Sequence, residues 1–165
     1  MLSFMVLFTL MLHTCWTELD VLNPDVPCAE VGIPNDFDTF LSHHLRDDIP
    51  KDNNPKKNEW QKFINKIQTW DRPEQCFFPF WAYNSVIAVC SSGGKIYGGR
   101  NLCISKEPLS FVYVKVNNKK QVTEVKNKKE YVILGCNKIE NKCLPVHFEA
   151  NRNDAKPDNN KENCS

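Results

Sequence analysis

The sequence predicts an α+β domain, with helices in its first half and an antiparallel sheet in its second half. Apolar residues recur at helical spacing up to about residue 69, and they alternate with polar residues from about 111 to 149. Helices followed by strands, rather than interleaved with them, are typical of the α+β class. A chain of 165 residues can bury one modest core, so we expect one domain.

The N-terminus predicts export from the cell. Residues 1–17 contain no Lys, Arg, Asp or Glu, and their apolar run is too short to span a bilayer, as in a secretory signal peptide. We interpret residues 18–33 as an irregular N-terminal extension. No later segment is apolar enough to cross a membrane, so we expect a secreted, extracellular protein without a membrane span.

The cysteine count supports the same compartment. Eight cysteines behind a signal sequence indicate a disulfide framework. Cys15 lies within the predicted signal, which leaves an odd number, so at least one is free, capped or joined to another chain. No C-x₂₋₄-C pair indicates a zinc site, and we predict no metal.

Two helices are predicted before residue 70. The first follows Pro34, with Asn35 or Asp36 as its cap, and its buried face carries Phe37, Phe40, Leu41, His44 and Leu45. His43 then lies about 100° away from His44 around the helix. The second helix covers residues 56–69, with one apolar stripe formed by Trp60, Phe63, Ile64 and Ile67.

The remaining elements are shorter. Residues 76–83 are aromatic but interrupted by Pro79, which favours an edge strand at best. A third helix is predicted at 84–90, turns at 91–94 and 98–99, and strands at 111–116, 121–126, 130–136 and 144–149. Residues 151–165 form a polar C-terminal tail that we expect to be disordered apart from its cysteine.

Basic residues are concentrated in the middle of the chain. The net charge is +1, but residues 95–129 hold nine Lys and Arg against two Glu, a local net charge of +7. This segment predicts a polyanion-binding surface formed by Lys115, Lys119, Lys120, Lys126, Lys128 and Lys129. A solvated lysine-rich hairpin is the alternative interpretation.

One histidine lies on a predicted strand. His147 belongs to LPVHFE at 144–149, where a rigid sheet would hold its imidazole as a proton donor or acceptor near neutral pH. A single histidine in a strand is more often structural. A catalytic role therefore requires a second histidine and an anion site beside it.

Three segments, in this order, resemble the vertebrate ribonuclease A superfamily, including its angiogenin-like branch. FLSHH at 40–44 resembles the first helix, which ends in a catalytic histidine; VIAVC at 86–90 with GRNLCISK at 99–106 resembles the central hairpin; and VILGC at 132–136 with LPVHFE resembles the closing hairpin. The resemblance covers roughly residues 34–150. It implies three helices and a V-shaped antiparallel sheet, with RNA bound in the cleft.

The resemblance also implies a mechanism. His44 would act as the base and His147 as the acid in attack of a ribose 2′-hydroxyl on phosphorus, with Phe148 supporting the site and Glu149 orienting His147. His43 replaces the glutamine that the family carries beside its first histidine. The family needs no cofactor or metal, and the implied partner is RNA or another polyanion. We expect a monomer. Because the number of remaining cysteines is odd, a disulfide to another chain is the alternative.

Two departures from the family pattern bear on activity and pairing. The family motif is Cys-Lys-x-x-Asn-Thr-Phe; aligned on Cys76, this chain reads CFFPFWA, with Phe77 in place of the lysine. Losing one charge at a phosphoryl centre costs about 10²–10³-fold in rate, and Lys51, Lys56 or Lys57 are possible substitutes. By resemblance Cys90 pairs with Cys136, whereas Cys76 lacks its partner. Cys143 and Cys164 could close a local loop, leaving Cys28 and Cys103.

Three functions are therefore open. The first is a secreted ribonuclease of low activity, favoured by the two histidines. The second is a non-catalytic secreted protein that binds RNA, another polyanion, a receptor or a microbial surface, favoured by the missing lysine. The third is a structural or interaction protein that keeps only the fold, favoured by the near-neutral net charge.

Overall fold

The fold is known from a computed structural model that describes residues 26–29, 31–51, 55–67 and 72–164. The predicted signal peptide at 1–17 and most of the predicted extension at 18–33 lie outside these residues. Among the described residues, no helix is both long enough and apolar enough to cross a membrane.

The first helix, α1, runs over Pro34–His44. The prediction of Asn35 or Asp36 as its cap is wrong, because Pro34 occupies the first helical position and Ile33 precedes the helix. The Asp36 carboxylate instead accepts a hydrogen bond from the Ile33 amide at 3.2 Å. Phe40 and His44 are buried as predicted. A two-residue strand, β1 (Leu45–Arg46), follows directly.

The second helix, α2, runs over Lys57–Lys66 and is amphipathic as predicted. It ends at Lys66 rather than at residue 69, since Ile67 already has extended backbone angles. Its stripe builds one of two core clusters, in which Trp60 and Phe63 pack around Phe77. The helix is also tied to a distant hairpin, because the Gln61 side chain accepts a hydrogen bond from the Val122 amide at 2.7 Å.

The aromatic segment forms a strand, β2 (Glu74–Pro79), that pairs on both sides. It pairs antiparallel with β5 (Leu109–Val116) and parallel with β1, so the edge-strand prediction is wrong. Pro79 ends the strand, where its missing N–H breaks no ladder bond. A 3₁₀ turn (Phe80–Ala82) and the short helix α3 (Tyr83–Ala88) follow.

The remaining strands complete two sheets. They are β3 (Gly94–Ile96), β4 (Leu102–Ser105), β6 (Val122–Glu130), β7 (Ile133–Ile139) and β8 (Lys142–Glu149). One sheet has the order β1-β2-β5-β6 and the other the order β3-β4-β7-β8. Every pairing except β1–β2 is antiparallel. The predicted α+β class with three helices is confirmed, although β3 begins inside a segment predicted only as a turn.

The cysteine pairing differs in part from expectation. Cys90–Cys136 is confirmed. The other bridges are Cys28–Cys143 and Cys103–Cys164, so the local Cys143–Cys164 loop is wrong. Among the described residues, Cys76 is the one unpaired cysteine. Disulfides form between cysteines that are close in space. The spacing of the cysteines along the sequence did not indicate which of them would be close.

The C-terminal tail is structured rather than disordered. Beyond the Cys103–Cys164 bridge, the Ile96 amide donates to the Glu162 carbonyl at 3.1 Å and the Cys164 amide donates to the Gly94 carbonyl at 3.3 Å. The tail therefore follows the outer edge of β3. Its polar composition misled the prediction because a disulfide and backbone hydrogen bonds, rather than apolar burial, hold it.

We expect the double substitution Cys103→Ser with Cys164→Ser to lower the free energy of unfolding by about 2–5 kcal/mol. Without the bridge, the tail is no longer attached to β4 and the unfolded chain gains conformational entropy. Urea denaturation measures the change. Lys95→Ala is the control, since it removes only a side-chain hydrogen bond to the tail carbonyl of Lys161. An unchanged unfolding free energy in the double variant would contradict a stabilising role for the bridge.

Candidate active site

A cavity of about 460 Å³ lies where α1, β2, β6 and β8 meet. It brings together all five residues predicted at the catalytic centre: His43, His44, His147, Phe148 and Glu149. The spatial meeting of a helix histidine and a closing-strand histidine is therefore present. The remaining lining includes charged, polar and aromatic side chains of β2, the β5–β6 hairpin and the C-terminal tail, among them Arg72, Glu74, Gln75, Cys76, Tyr113, Lys128, Glu130 and Arg152.

The last turn of α1 fixes His44. Its Nδ1 lies 2.9 Å from the backbone carbonyl oxygen of Cys76 in β2. Because a carbonyl only accepts, the neutral ring carries its proton on Nδ1 and leaves Nε2 as the basic nitrogen. Phe148 stacks on the ring at a centroid distance of 5.4 Å, and Phe40 contacts it at 5.2 Å.

Burial controls the protonation of His44. With 7% of its surface exposed, desolvation lowers its pKa from 6.5 to about 4, and the hydrogen bond to the Cys76 carbonyl opposes this only in part. The positive charges of His43, Arg72 and His147 lower the pKa further. His44 is therefore neutral at physiological pH, the protonation state that a base requires.

His147 is placed by the β7–β8 hairpin. It is exposed on β8, and its Nε2 lies 3.2 Å from the Glu149 carboxylate on the same face of the strand. A carboxylate that holds Nε2–H stabilises the imidazolium and leaves Nδ1 toward other partners. Glu149 therefore lies within hydrogen-bonding distance of the histidine that the resemblance implied it would orient.

The residue opposite His147 is a glycine for a packing reason. Gly135 is its partner in β7, and a Cβ at this position would lie 3.1 Å from the Cβ of His147. The strand register also shifts between Gly135 and Cys136, an irregularity that re-aims neighbouring side chains. The backbone therefore makes room for the imidazole.

The residue predicted to replace the catalytic lysine is not in the cavity. Phe77 is fully buried in the α2 core cluster, with its ring centroid 5.4 Å from those of Trp60 and Phe63. Lys51, Lys56 and Lys57 do not line the cavity either. Arg72, two residues before β2, does line it, and its charge acts on His44.

A signal for Arg72 was present in the sequence. If the family's Asn-Thr-Phe is matched to Gln75-Cys76-Phe77, the chain reads RPEQCF at 72–77 and Arg72 falls on the lysine. Anchoring the motif on a cysteine hid this match. The structure favours the alignment at 71–77, because Phe77 is fully buried and residues 74–77 pair with β5.

Gln75 carries an unsatisfied buried acceptor beside the histidines. Its Nε2 donates to the His43 carbonyl at 2.5 Å, whereas its buried Oε1 has no hydrogen-bond partner among the described residues. An unpaired buried acceptor costs about 1–3 kcal/mol. A ligand or solvent donor in the cavity would remove that cost.

Cys76, next to Gln75 in β2, adds a free thiol to the cavity lining. Burial raises its pKa to about 12, and the nearby Lys128 offsets this only partly. The thiol therefore stays protonated and is a poor nucleophile. Cys76 acts on the site through its backbone carbonyl, which holds His44.

Three of the six lysines predicted as a polyanion surface form ion pairs with glutamates. Lys115 pairs with Glu74 at 2.9 Å, Lys128 with Glu130 at 3.0 Å, and Lys126 with Glu124. Lys119 and Lys120 lie in the turn between β5 and β6, at the far end of the hairpin from the histidines. Within the part of the chain that the structure describes, no cluster of three or more His, Cys, Asp or Glu could hold a metal ion.

Comparisons with known proteins identify the fold. No protein-family model matches the sequence, and no curated protein matches it. Solved structures do match: green turtle egg white ribonuclease with a TM-score of 0.53 and 19% identity, over 70% of this chain and 97% of the turtle chain. A truncated SS-RNase-2 gives 0.52 and 19% over 70% and 97%. Zebrafish RNase5 gives 0.51 and 18% over 70% and 93%.

The chain therefore has the ribonuclease A-like fold. This confirms the fold that the three sequence segments implied. At 18–19% identity the likeness establishes architecture, and the function has to be argued from the cavity itself.

We expect the stability of the protein to fall by about 3 kcal/mol as the pH is lowered from 6.5 to about 4, through His44 alone. In that window the unfolded chain protonates this histidine and the folded chain does not, so acid favours unfolding. Urea denaturation at neutral pH and near pH 4 measures the change.

The control for this effect is His44→Gln, which should lose that part of the pH dependence. Asp48 and Glu74 also have lowered pKa values, because Arg46 and Lys115 bond them, and they contribute equally in both proteins. Identical pH dependence in the two proteins would contradict a buried, neutral His44.

Proposed function

We propose that the protein is a secreted ribonuclease that binds RNA in this cavity and cleaves it without a metal. The observation that carries the proposal is that two imidazoles with different surroundings line one cavity. His44 is buried and neutral, whereas His147 is exposed and paired with a carboxylate. Transphosphorylation needs such a pair, one imidazole to accept a proton and one to supply it.

The proposed reaction moves two protons. Nε2 of His44 takes the proton of the ribose 2′-hydroxyl as that oxygen attacks phosphorus. Nδ1 of His147 gives a proton to the departing 5′-oxygen as its bond to phosphorus breaks. A 2′,3′-cyclic phosphate forms and the strand is cut. Phe148 holds the His44 ring and Glu149 holds the His147 ring.

Arg72 is the cation that we assign to the reacting phosphate. A guanidinium presents two parallel N–H donors to phosphate oxygens and stays charged at any physiological pH. When Phe77 is aligned with the phenylalanine of the family motif, Arg72 aligns with its lysine. Gln75 adds a buried acceptor for a donor group of the bound RNA, such as a hydroxyl or a base N–H.

The surroundings of His44 set a limit on the rate. A base with a pKa of about 4 accepts a proton less readily than one with a pKa near the working pH. We therefore propose a slow enzyme. Secretion is supported by the three disulfides, which persist in oxidising compartments.

A non-catalytic polyanion binder is the alternative, and the charges favour it less. Three of the six lysines that would form its surface are engaged with glutamates. A purely electrostatic surface also gives no reason for a buried neutral histidine beside a carboxylate-paired one.

We expect His44→Ala and His147→Ala each to reduce cleavage of a fluorogenic dinucleotide by about 10²–10⁴-fold. Arg72→Gln should reduce it by about 10²–10³-fold, because a preorganised charge at the phosphate is lost. Arg100→Gln is the control, since Arg100 is exposed in a turn away from the cavity. Equal rates for wild type and His147→Ala would indicate a contaminating nuclease and remove the catalytic proposal.

The pH profile of kcat/KM for the dinucleotide should also show the state of His44. The base works unprotonated, so activity rises with pH through its pKa, and we expect the acidic limb near pH 4. An acidic limb near 6.5, the ordinary pKa of histidine, would mean that His44 is solvated or is not the base.

A further inference from the structure

A second cavity lies beside the first. It encloses about 740 Å³ and shares Phe111 and Lys128 with the cavity that holds the histidines. Its walls come from the segment after α1, the end of β2 with the 3₁₀ turn, and the β5–β6 hairpin. Phe111 and Lys128, which pair across β5 and β6, therefore form a common wall of the two cavities.

Two aromatic rings at this cavity are exposed. Trp81 is 76% exposed and Phe80 is 58% exposed. Among the described residues, they are the two aromatic members of the set of exposed large hydrophobic side chains. Both belong to the 3₁₀ turn, and Phe80 contacts Tyr83 at a centroid distance of 5.9 Å. Large rings left in water forgo the free energy of burial. A bound ligand with a flat apolar face would recover it.

The basic residues around these rings are of two kinds. Arg46 is held by Asp48 and Lys128 by Glu130. Lys51 and Lys129 also line the cavity, and neither has an ion pair within the described part of the chain. Asp47 supplies the one acidic side chain of the lining, so the net charge favours an anion.

We propose that this cavity is a second RNA-binding site, in which a base stacks on Trp81 and the backbone phosphates contact Lys51 and Lys129. Exposed aromatic rings beside unpaired lysines are how proteins bind single strands without reading a sequence. The inference rests on the RNA-binding part of the proposed function and extends the binding site beyond the cleaved dinucleotide.

The chemistry of the walls favours RNA over other anionic ligands. A sulfated polysaccharide offers charge but no flat aromatic face for Trp81. An acidic peptide offers charge with few flat groups. A nucleic acid supplies both a ring and a phosphate at every residue, which matches a lining that holds the exposed ring of Trp81 together with Lys51 and Lys129.

The test is binding of a fluorescently labelled oligodeoxyuridylate, measured by anisotropy. This ligand has no 2′-hydroxyl, so it cannot be cleaved and reports binding alone. We expect Trp81→Leu to weaken binding about 10-fold or more, in line with the loss of one base–aromatic stack. Trp81→Phe retains a ring and should keep most of the affinity. Ile33→Ala, another exposed apolar residue outside both cavities, should bind like wild type.

The lysines give an independent measurement. Lys129→Gln should reduce the slope of log affinity against log salt by about 0.7, the value for one phosphate contact on a single strand. Thermal unfolding checks that each variant is folded, and an exposed position such as Trp81 should change stability little.

Each outcome decides the inference. Wild-type affinity in Trp81→Leu, an equal loss in Ile33→Ala, or a heparin fragment that competes equally well in wild type and Trp81→Leu would overturn it. If oligonucleotide binding depends on Trp81 but no dinucleotide is cleaved, the catalytic proposal fails and the second site stands. If the dinucleotide is cleaved but Trp81→Leu binds the oligonucleotide normally, the second site fails and the catalytic proposal stands.

Discussion

One hydrogen bond organises the site: His44 Nδ1 to the Cys76 carbonyl. It joins the end of α1 to the middle of β2 and, with the aromatic stack from Phe148, leaves the imidazole one tautomer and one orientation. The same burial that permits this contact removes water from the ring and lowers its pKa. Position and protonation state of the proposed base are therefore two results of one packing arrangement, and neither can be changed alone.

The elements with strong periodicity were predictable, whereas those fixed by distant contacts were not. The stripe of α2 and the closing hairpin follow from local pattern, and the two histidines from their segments. Arg72 was missed because a family cysteine served as the anchor, although the buried Phe77 marks the register better. The Cys28–Cys143 and Cys103–Cys164 bridges depend on which chain ends meet in space. No local pattern encodes that meeting.

Each end of the described chain is attached to a strand by a disulfide. Cys28 attaches the N-terminal segment to β8, and Cys164 attaches the tail to β4 beside β3. The tail was expected to be disordered on composition, yet Asn151 donates to the Tyr131 carbonyl at 2.9 Å and the segment around it lines the first cavity. Polar segments become part of a site when covalent bridges and backbone hydrogen bonds replace apolar burial.

The unpaired thiol of Cys76 bears on how the three described bridges are kept. A free thiol endangers correct pairing, because its thiolate attacks existing bridges and reshuffles them. Burial raises the pKa of Cys76 to about 12, so its thiol stays protonated at neutral pH. A protonated thiol is a poor nucleophile, so Cys76 attacks the three bridges slowly even though it lines an open cavity.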